Sequence, residues 1–275
     1  MIVPQVYFEF DFHSNVFETP IKSNCDGAWI KPKEFSKMLD SSAENRGWTP
    51  FNCVPDKDMI KNYVLNHPNT PFFIGDIEYW PATADEAMTP KFKLLWPDVE
   101  PVEYQIASDK WYTEFMVYLK NYASDKLYSF WAKPPLPRSK GNITTDQLAR
   151  HNLMKPIYRL SNFACAELNL YFEINTLEIM NRNQRFQSYF RSFYSNELPL
   201  MVHIEPIFPF GSKTSVLRLW TPEEMEATIQ SLDCDMLYIR LPIPQQNESK
   251  ARVEIDKMTE WYQNFMEIFN RVWGV

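Results

Sequence analysis

The chain has 275 residues, 45% of them hydrophobic and 16% aromatic, which is enough to bury one large core. Its net charge of -7 and the absence of any Lys/Arg block exclude the basic footprint needed to grip a nucleic-acid backbone. The apolar runs are of strand length and broken by charges, so no membrane-spanning segment is expected.

The opening MIVPQVYFEFDF lacks a basic start, an apolar segment and a small-residue cleavage site, so no signal peptide is expected in it. It reads instead as a first strand, Gln5–Phe12. Further strands are predicted at Ala28–Lys31, Thr49–Val54, Phe72–Trp80, Leu127–Ala132, Asn169–Glu173, Leu200–Glu205 and Met236–Leu241. Helices are predicted between them at Lys33–Glu44, Asp56–Asn66, Tyr104–Ala123, Thr145–Phe163, Thr176–Ser195, Thr221–Leu232 and Val253–Arg271. The helix from Thr221 carries its own start signal, with Pro222 in the first turn and Glu224 completing a Thr-x-x-Glu capping box. Short β-rich runs alternating with amphipathic helices predict an α/β fold, a single (β/α)8 barrel of the TIM type spanning residues 1–275, with distortion allowed at its short second and third strands. The segment from Lys133 to Gly141 is a Pro-rich loop following a strand, where barrel enzymes build their sites.

Alternate side chains of a strand share a face. In the first strand Phe8, Phe10 and Phe12 share one face and Glu9, Asp11 and His13 the other; in the fourth, Asp76, Glu78 and Trp80 lie together. The sixth pairs Tyr171 with Glu173, the seventh His203 with Glu205, and the eighth Tyr238 with Arg240. Helices cover the outside of such a barrel, so these polar faces are expected to point inward. Buried carboxylates cost several kcal/mol each without partners, which leaves two explanations, an ion-pair network with Arg240 or His203, or function: both stay open for Glu9 and Asp11, while catalysis is expected for Asp76 and Glu78 at a strand end. Arg240 is expected within ion-pair reach of Glu9, Asp11 or Glu205. Trp80 beside carboxylates suits packing or stacking on a sugar face. His13, His67, His151 and His203 are isolated, so no metal site is expected, and no phosphate-binding glycine loop or nucleophile elbow calls for a cofactor or an activated serine. Cys25, Cys53, Cys165 and Cys234 are too widely spaced for a zinc motif and read as two disulfides or four buried thiols. Asn142-Ile143-Thr144 and Asn247-Glu248-Ser249 fit the glycosylation acceptor pattern and point towards a secreted glycoprotein.

Around Ile74-Gly75-Asp76-Ile77-Glu78-Tyr79-Trp80-Pro81 the sequence resembles the hyaluronidase family, and its Asp-x-Glu ending resembles chitinase-like barrels. The segments Leu127–Pro134, Asp146-Gln147-Leu148, Leu198-Pro199 and Thr221–Leu241 resemble the family in the same order. The resemblance implies an endo-β-N-acetylhexosaminidase cleaving hyaluronan or chondroitin with help from the sugar's own acetamido oxygen. It implies Glu78 as general acid and base, Asp76 as partner of the acetamido group, and Tyr171 as a positioning residue. Trp80, Trp131, Glu205, Asp11 and Arg240 complete the expected polysaccharide-binding set. The chain departs from the family where Arg240 stands in place of a Trp, where Trp131 replaces a Tyr, and in its cysteine framework.

Two alternatives stand beside this reading. One is a two-carboxylate retaining glycosidase using Glu78 and Glu205. The other, favoured by the departures, is a catalytically silent barrel that binds carbohydrate or a partner.

Overall fold

The computed structural model describes residues 3–10, 25, 27–39, 49–76, 84–131, 145–170, 175–194, 197–208, 218–241 and 258–275, without the side chains of some residues within these ranges, Phe10, Trp131 and Leu241 among them. In chain order the elements are β1 (Gln5–Phe10), β2 (Trp29–Ile30), a 3-10 turn (Pro32–Phe35), β3 (Ser36–Met38), β4 (Cys53–Pro55), α1 (Lys57–Asn66), β5 (Phe72–Asp76), α2 (Ala84–Ala87), α3 (Pro90–Leu95), α4 (Pro101–Tyr122), β6 (Leu127–Trp131), α5 (Thr145–Tyr158), β7 (Ala164–Glu167), α6 (Thr176–Tyr194), β8 (Leu200–Ile204), β9 (Ile207–Phe208), β10 (Arg218–Leu219), α7 (Pro222–Gln230), β11 (Met236–Leu241) and α8 (Met258–Trp273). They divide into two compact units, Met1–Asp26 with Ala164–Val275, and Gly27–Phe163.

The first unit holds a parallel sheet in the order β1-β11-β8-β7. Phe8 sends its ring edge-on to Tyr262 and Phe265 of α8, so the aromatic face of β1 meets the helix layer as its alternation predicts. Burying a ring of this size contributes about 1.5–3 kcal/mol. The predicted capping box of α7 forms in both directions, Thr221 N to Glu224 and Glu224 N to Thr221 Oγ1, and Arg218 grips the Glu224 carboxylate with two nitrogens at 2.7 and 2.8 Å.

The second unit holds a parallel sheet in the order β2-β5-β6 and an antiparallel pair, β3 with β4. Phe73 faces Tyr63 of α1, and Phe130 faces Tyr112 and Phe115 of α4. The opposite face of these strands carries Ile74 and Asp76 on β5, with Trp29 of β2 and Ser129 of β6 in register with Ile74.

Four sequence expectations are corrected. The helix predicted over Lys33–Glu44 stops after one turn, because Phe35 is buried against Tyr63 and Phe115 and the chain then pairs as β3; tertiary packing overrides local propensity here. Thr49–Val54 is no barrel strand: the paired residues begin at Cys53 and run antiparallel to β3. The paired residues of the next strand are Ala164–Glu167, ahead of the predicted Asn169–Glu173, of which Asn169 and Leu170 are not strand-paired and 171–173 lie outside the described residues; α5 ends at Tyr158 rather than at Phe163. Ala164, Cys165 and Ala166 are buried on both faces of a parallel sheet, where alternation disappears. The four cysteines are free, buried thiols rather than disulfides.

Gly27 leads into β2 with φ +74°, and the Tyr63 hydroxyl donates to its carbonyl at 3.0 Å. A Cβ there would come within 2.6 Å of Nε2 of His67, whose ring lies on Tyr63. Gly27→Ala therefore combines left-handed strain with a side-chain clash and is expected to lower unfolding free energy by about 2 kcal/mol in urea titration. Gly274→Ala, with φ +70° but open space around it, is expected to cost less.

Candidate functional site

In the first unit the register of the parallel strands builds one polar face. Glu9 on β1 stands opposite Arg240 on β11, Tyr238 opposite His203 on β8, and His203 opposite Glu167 on β7. The Tyr238 hydroxyl donates to Glu9, which is 5% exposed. Arg240 Nη1 lies 3.1 Å from Glu205 Oε1, which meets the expectation of an ion pair. His203 Nε2 is 3.8 Å from the same oxygen. Beyond β7, Asn169 Nδ2 donates to Glu167 at 2.8 Å, and its Oδ1 accepts the Glu205 amide at 2.5 Å. Arg182 of α6 donates to the carbonyls of Leu168 and Asn169 at 2.9 and 3.0 Å, which fixes the chain where the strand ends.

Protonation on this face is set by burial and neighbours. Burial, then the Arg240 charge, holds His203 well below the usual histidine range, so it is neutral. Burial, then the Glu9 charge, raises the Tyr238 phenol well above its ordinary value, so it keeps its proton and donates. The face thus pairs its carboxylates with a phenol and a guanidinium, acceptors matched to donors.

In the second unit Asp76 ends β5, 6% exposed, and its Oδ2 accepts the Trp29 indole N–H at 3.3 Å. Tyr112 of α4 also senses it: burial raises the phenol pKa most, with Tyr104 and then the Asp76 charge adding. Ser129, in register with Ile74, donates to the Phe163 carbonyl at 2.8 Å.

Of the residues expected at a site, Glu205 and Arg240 come together in the first unit and Asp76 sits at its predicted strand end in the second. Glu78, Trp80, Tyr171 and Asp11 lie outside the described residues, as does the Trp131 side chain. Sequence reasoning missed Glu167 and Asn169 because the strand was placed too late. It also missed Trp29, whose strand has two paired residues; a Trp two positions before the end of a parallel neighbour is the signal that points to it. Among the described residues no group of His, Cys, Asp and Glu is arranged to hold a metal ion, and no helix is long and apolar enough to cross a membrane.

A solved structure of bee venom hyaluronidase superposes with a TM-score of 0.63 at 12% identity, over 85% of this chain and 84% of that one. The fold is similar to that of bee venom hyaluronidase. A second structure of the bee enzyme, in complex with a hyaluronic acid tetramer, matches at 0.63 and 10% identity over 97% of this chain and 86% of that one. At these identities the likeness to hyaluronidase is one of fold. No protein-family model matches the sequence, and a search of curated proteins finds no match.

Two outcomes follow from the polar face. Arg240→Met strands Glu205, whose side chain is 9% exposed, and is expected to cost about 3–5 kcal/mol in denaturant unfolding, with Arg240→Met/Glu205→Leu recovering most of it. His203 binds its proton more weakly folded than unfolded, so it favours the fold above the unfolded pKa of about 6.5 and withdraws that stability as pH falls below it. Stability is expected to fall by up to about 1.4 kcal/mol per pH unit from this group on acidification. Unfolding titrations across that range are expected to show a shallower slope in His203→Gln.

Proposed function

We propose that the chain is a hyaluronidase-like glycoside hydrolase acting on a β-linked N-acetylhexosamine polysaccharide of the hyaluronan or chondroitin type. The observation that carries this is Asp76, a buried carboxylate at the carboxyl end of a parallel strand, beginning Asp-x-Glu in a fold similar to that of bee venom hyaluronidase. On this reading the two parallel sheets belong to one distorted (β/α)8 barrel spanning residues 1–275, and the protein is secreted.

The chemistry is substrate-assisted retention. The acetamido carbonyl oxygen attacks the anomeric carbon while the Glu78 carboxylic acid gives its proton to the departing glycosidic oxygen. Asp76 accepts a hydrogen bond from the acetamido N–H and balances the positive charge of the cyclic intermediate. The Glu78 carboxylate then takes a proton from water as that water opens the ring. Tyr171 positions the acetamido group, Trp80 and Trp131 stack on sugar faces, and Asp11, Glu205 and Arg240 bind hydroxyls or a sugar carboxylate.

One observation favours a second scheme: Glu205 is a buried carboxylate with a cation partner, as a direct nucleophile opposite Glu78 would be. Digestion of hyaluronan, chondroitin and chitin oligosaccharides with product analysis tests the proposal. Glu78→Gln is expected to lower kcat by about 10²–10⁴-fold with binding little changed, because the amide keeps the shape and lacks the acidic proton. Asp76→Asn is expected to lower turnover as well, while Glu205→Gln matches Glu78→Gln only in the direct scheme. Cleavage of none of the three polymers points to a silent carbohydrate-binding barrel, and full activity in Glu78→Gln overturns the catalytic assignment.

A further inference from the structure

We infer that Trp29 is a positioning residue for Asp76, a donor whose indole N–H holds the orientation of this carboxylate; the inference rests on the reading of Asp76 as part of the active site. Trp29 stands on β2 opposite Ile74, two residues before Asp76 on the same face of the neighbouring strand. A diagonal neighbour at that spacing is within reach of a long aromatic side chain, and the indole Nε1 meets Oδ2 at 3.3 Å. Indole can donate and cannot accept, so the contact favours the carboxylate over the carboxylic acid and resists rotation of the group. Asp76 must stay ionised while Glu78 carries the proton, and must hold one orientation to receive an acetamido N–H. A second device tethers the donor: Gly27, two residues before Trp29, takes the left-handed conformation against the Tyr63 hydroxyl and the His67 ring.

The test compares the wild-type chain with Trp29→Phe and with a second variant carrying 3-benzothienylalanine at position 29, which keeps the two-ring shape without the N–H and guards against simple misfolding. Two readouts are taken. The first is the titration of the Asp76 carboxyl carbon by ¹³C NMR, assigned through Asp76→Asn, which needs no activity. It is expected to move to higher pH in both variants. The second is the pH profile of kcat and KM on the polymer that wild type cleaves. There kcat is expected to drop about tenfold or more, the scale of one hydrogen bond to a charged group, with KM within about twofold and the acidic limb displaced upward. Unchanged Asp76 titration in the benzothienyl variant overturns the inference. If wild type cleaves no polymer, the functional reading fails on its own and the NMR titration still decides the role of Trp29. If wild type is active and both variants keep its kcat and acidic limb, the positioning role fails while the functional reading stands.

Discussion

A carboxylate with less than a tenth of its surface in water needs hydrogen bonds or a counter-charge, because an unpaired buried ion costs several kcal/mol, more than one buried aromatic ring contributes. Both parallel sheets are organised around that requirement. Glu9 receives the Tyr238 phenol, Glu205 the Arg240 guanidinium and Asp76 the Trp29 indole. Every donor stands on the strand next to its acceptor. Arg240 and Glu205 each follow one residue after the paired Ile239 and Ile204, and Trp29 pairs two residues before Asp76. Sliding any of these strands by one residue would turn the donor into the helix layer and leave the acid bare. Polar pairs therefore specify the register of strands whose apolar faces alone would accept several.

The opposite faces obey a different rule. Phe8, Phe73 and Phe130 meet rings on α8, α1 and α4, and these contacts depend on shape and area rather than on proton positions. The division of labour lets one side of each sheet supply cohesion while the other carries chemistry. Glu205 follows the last paired residue of β8, where the backbone leaves the ladder, and Asp76 is the last described residue of β5.

How far the sequence could be read depends on which signal each segment carries. The alternation in Gln5–Phe10 separates Phe8 from Glu9 correctly, and Met236–Leu241 is read to its residue, because each has one apolar and one polar face. Thr221 and Glu224 mark a helix start through a local bond that owes little to the rest of the fold. Ala164–Glu167 was hidden, since small residues buried on both sides show no period and the real end of the strand is set by Arg182, distant in sequence. Ser36–Met38 was hidden for a related reason: the burial of Phe35 between Tyr63 and Phe115 is a tertiary event that no local pattern announces. At the site, Asp76, Glu205 and Arg240 were legible as ionisable residues at or near strand ends, whereas Trp29, an aromatic residue on a two-residue strand, carries no such signal.

The partners of these acids share one further property within each unit. Arg240 and Trp29 do not titrate in any range where a protein stays folded, and burial with the Glu9 charge keeps the proton on Tyr238. His203, whose Nε2 lies 3.8 Å from Glu205, is held neutral by burial and by Arg240. The donors around Glu9, Glu205 and Asp76 thus keep their protons as pH changes, and the geometry they impose persists with them. Glu78, two residues after Asp76 in the sequence, is the carboxyl group to which the proposed mechanism gives the mobile proton, and a partner that does not titrate, the Trp29 indole, is the physical reason Asp76 could stay ionised while that proton moves.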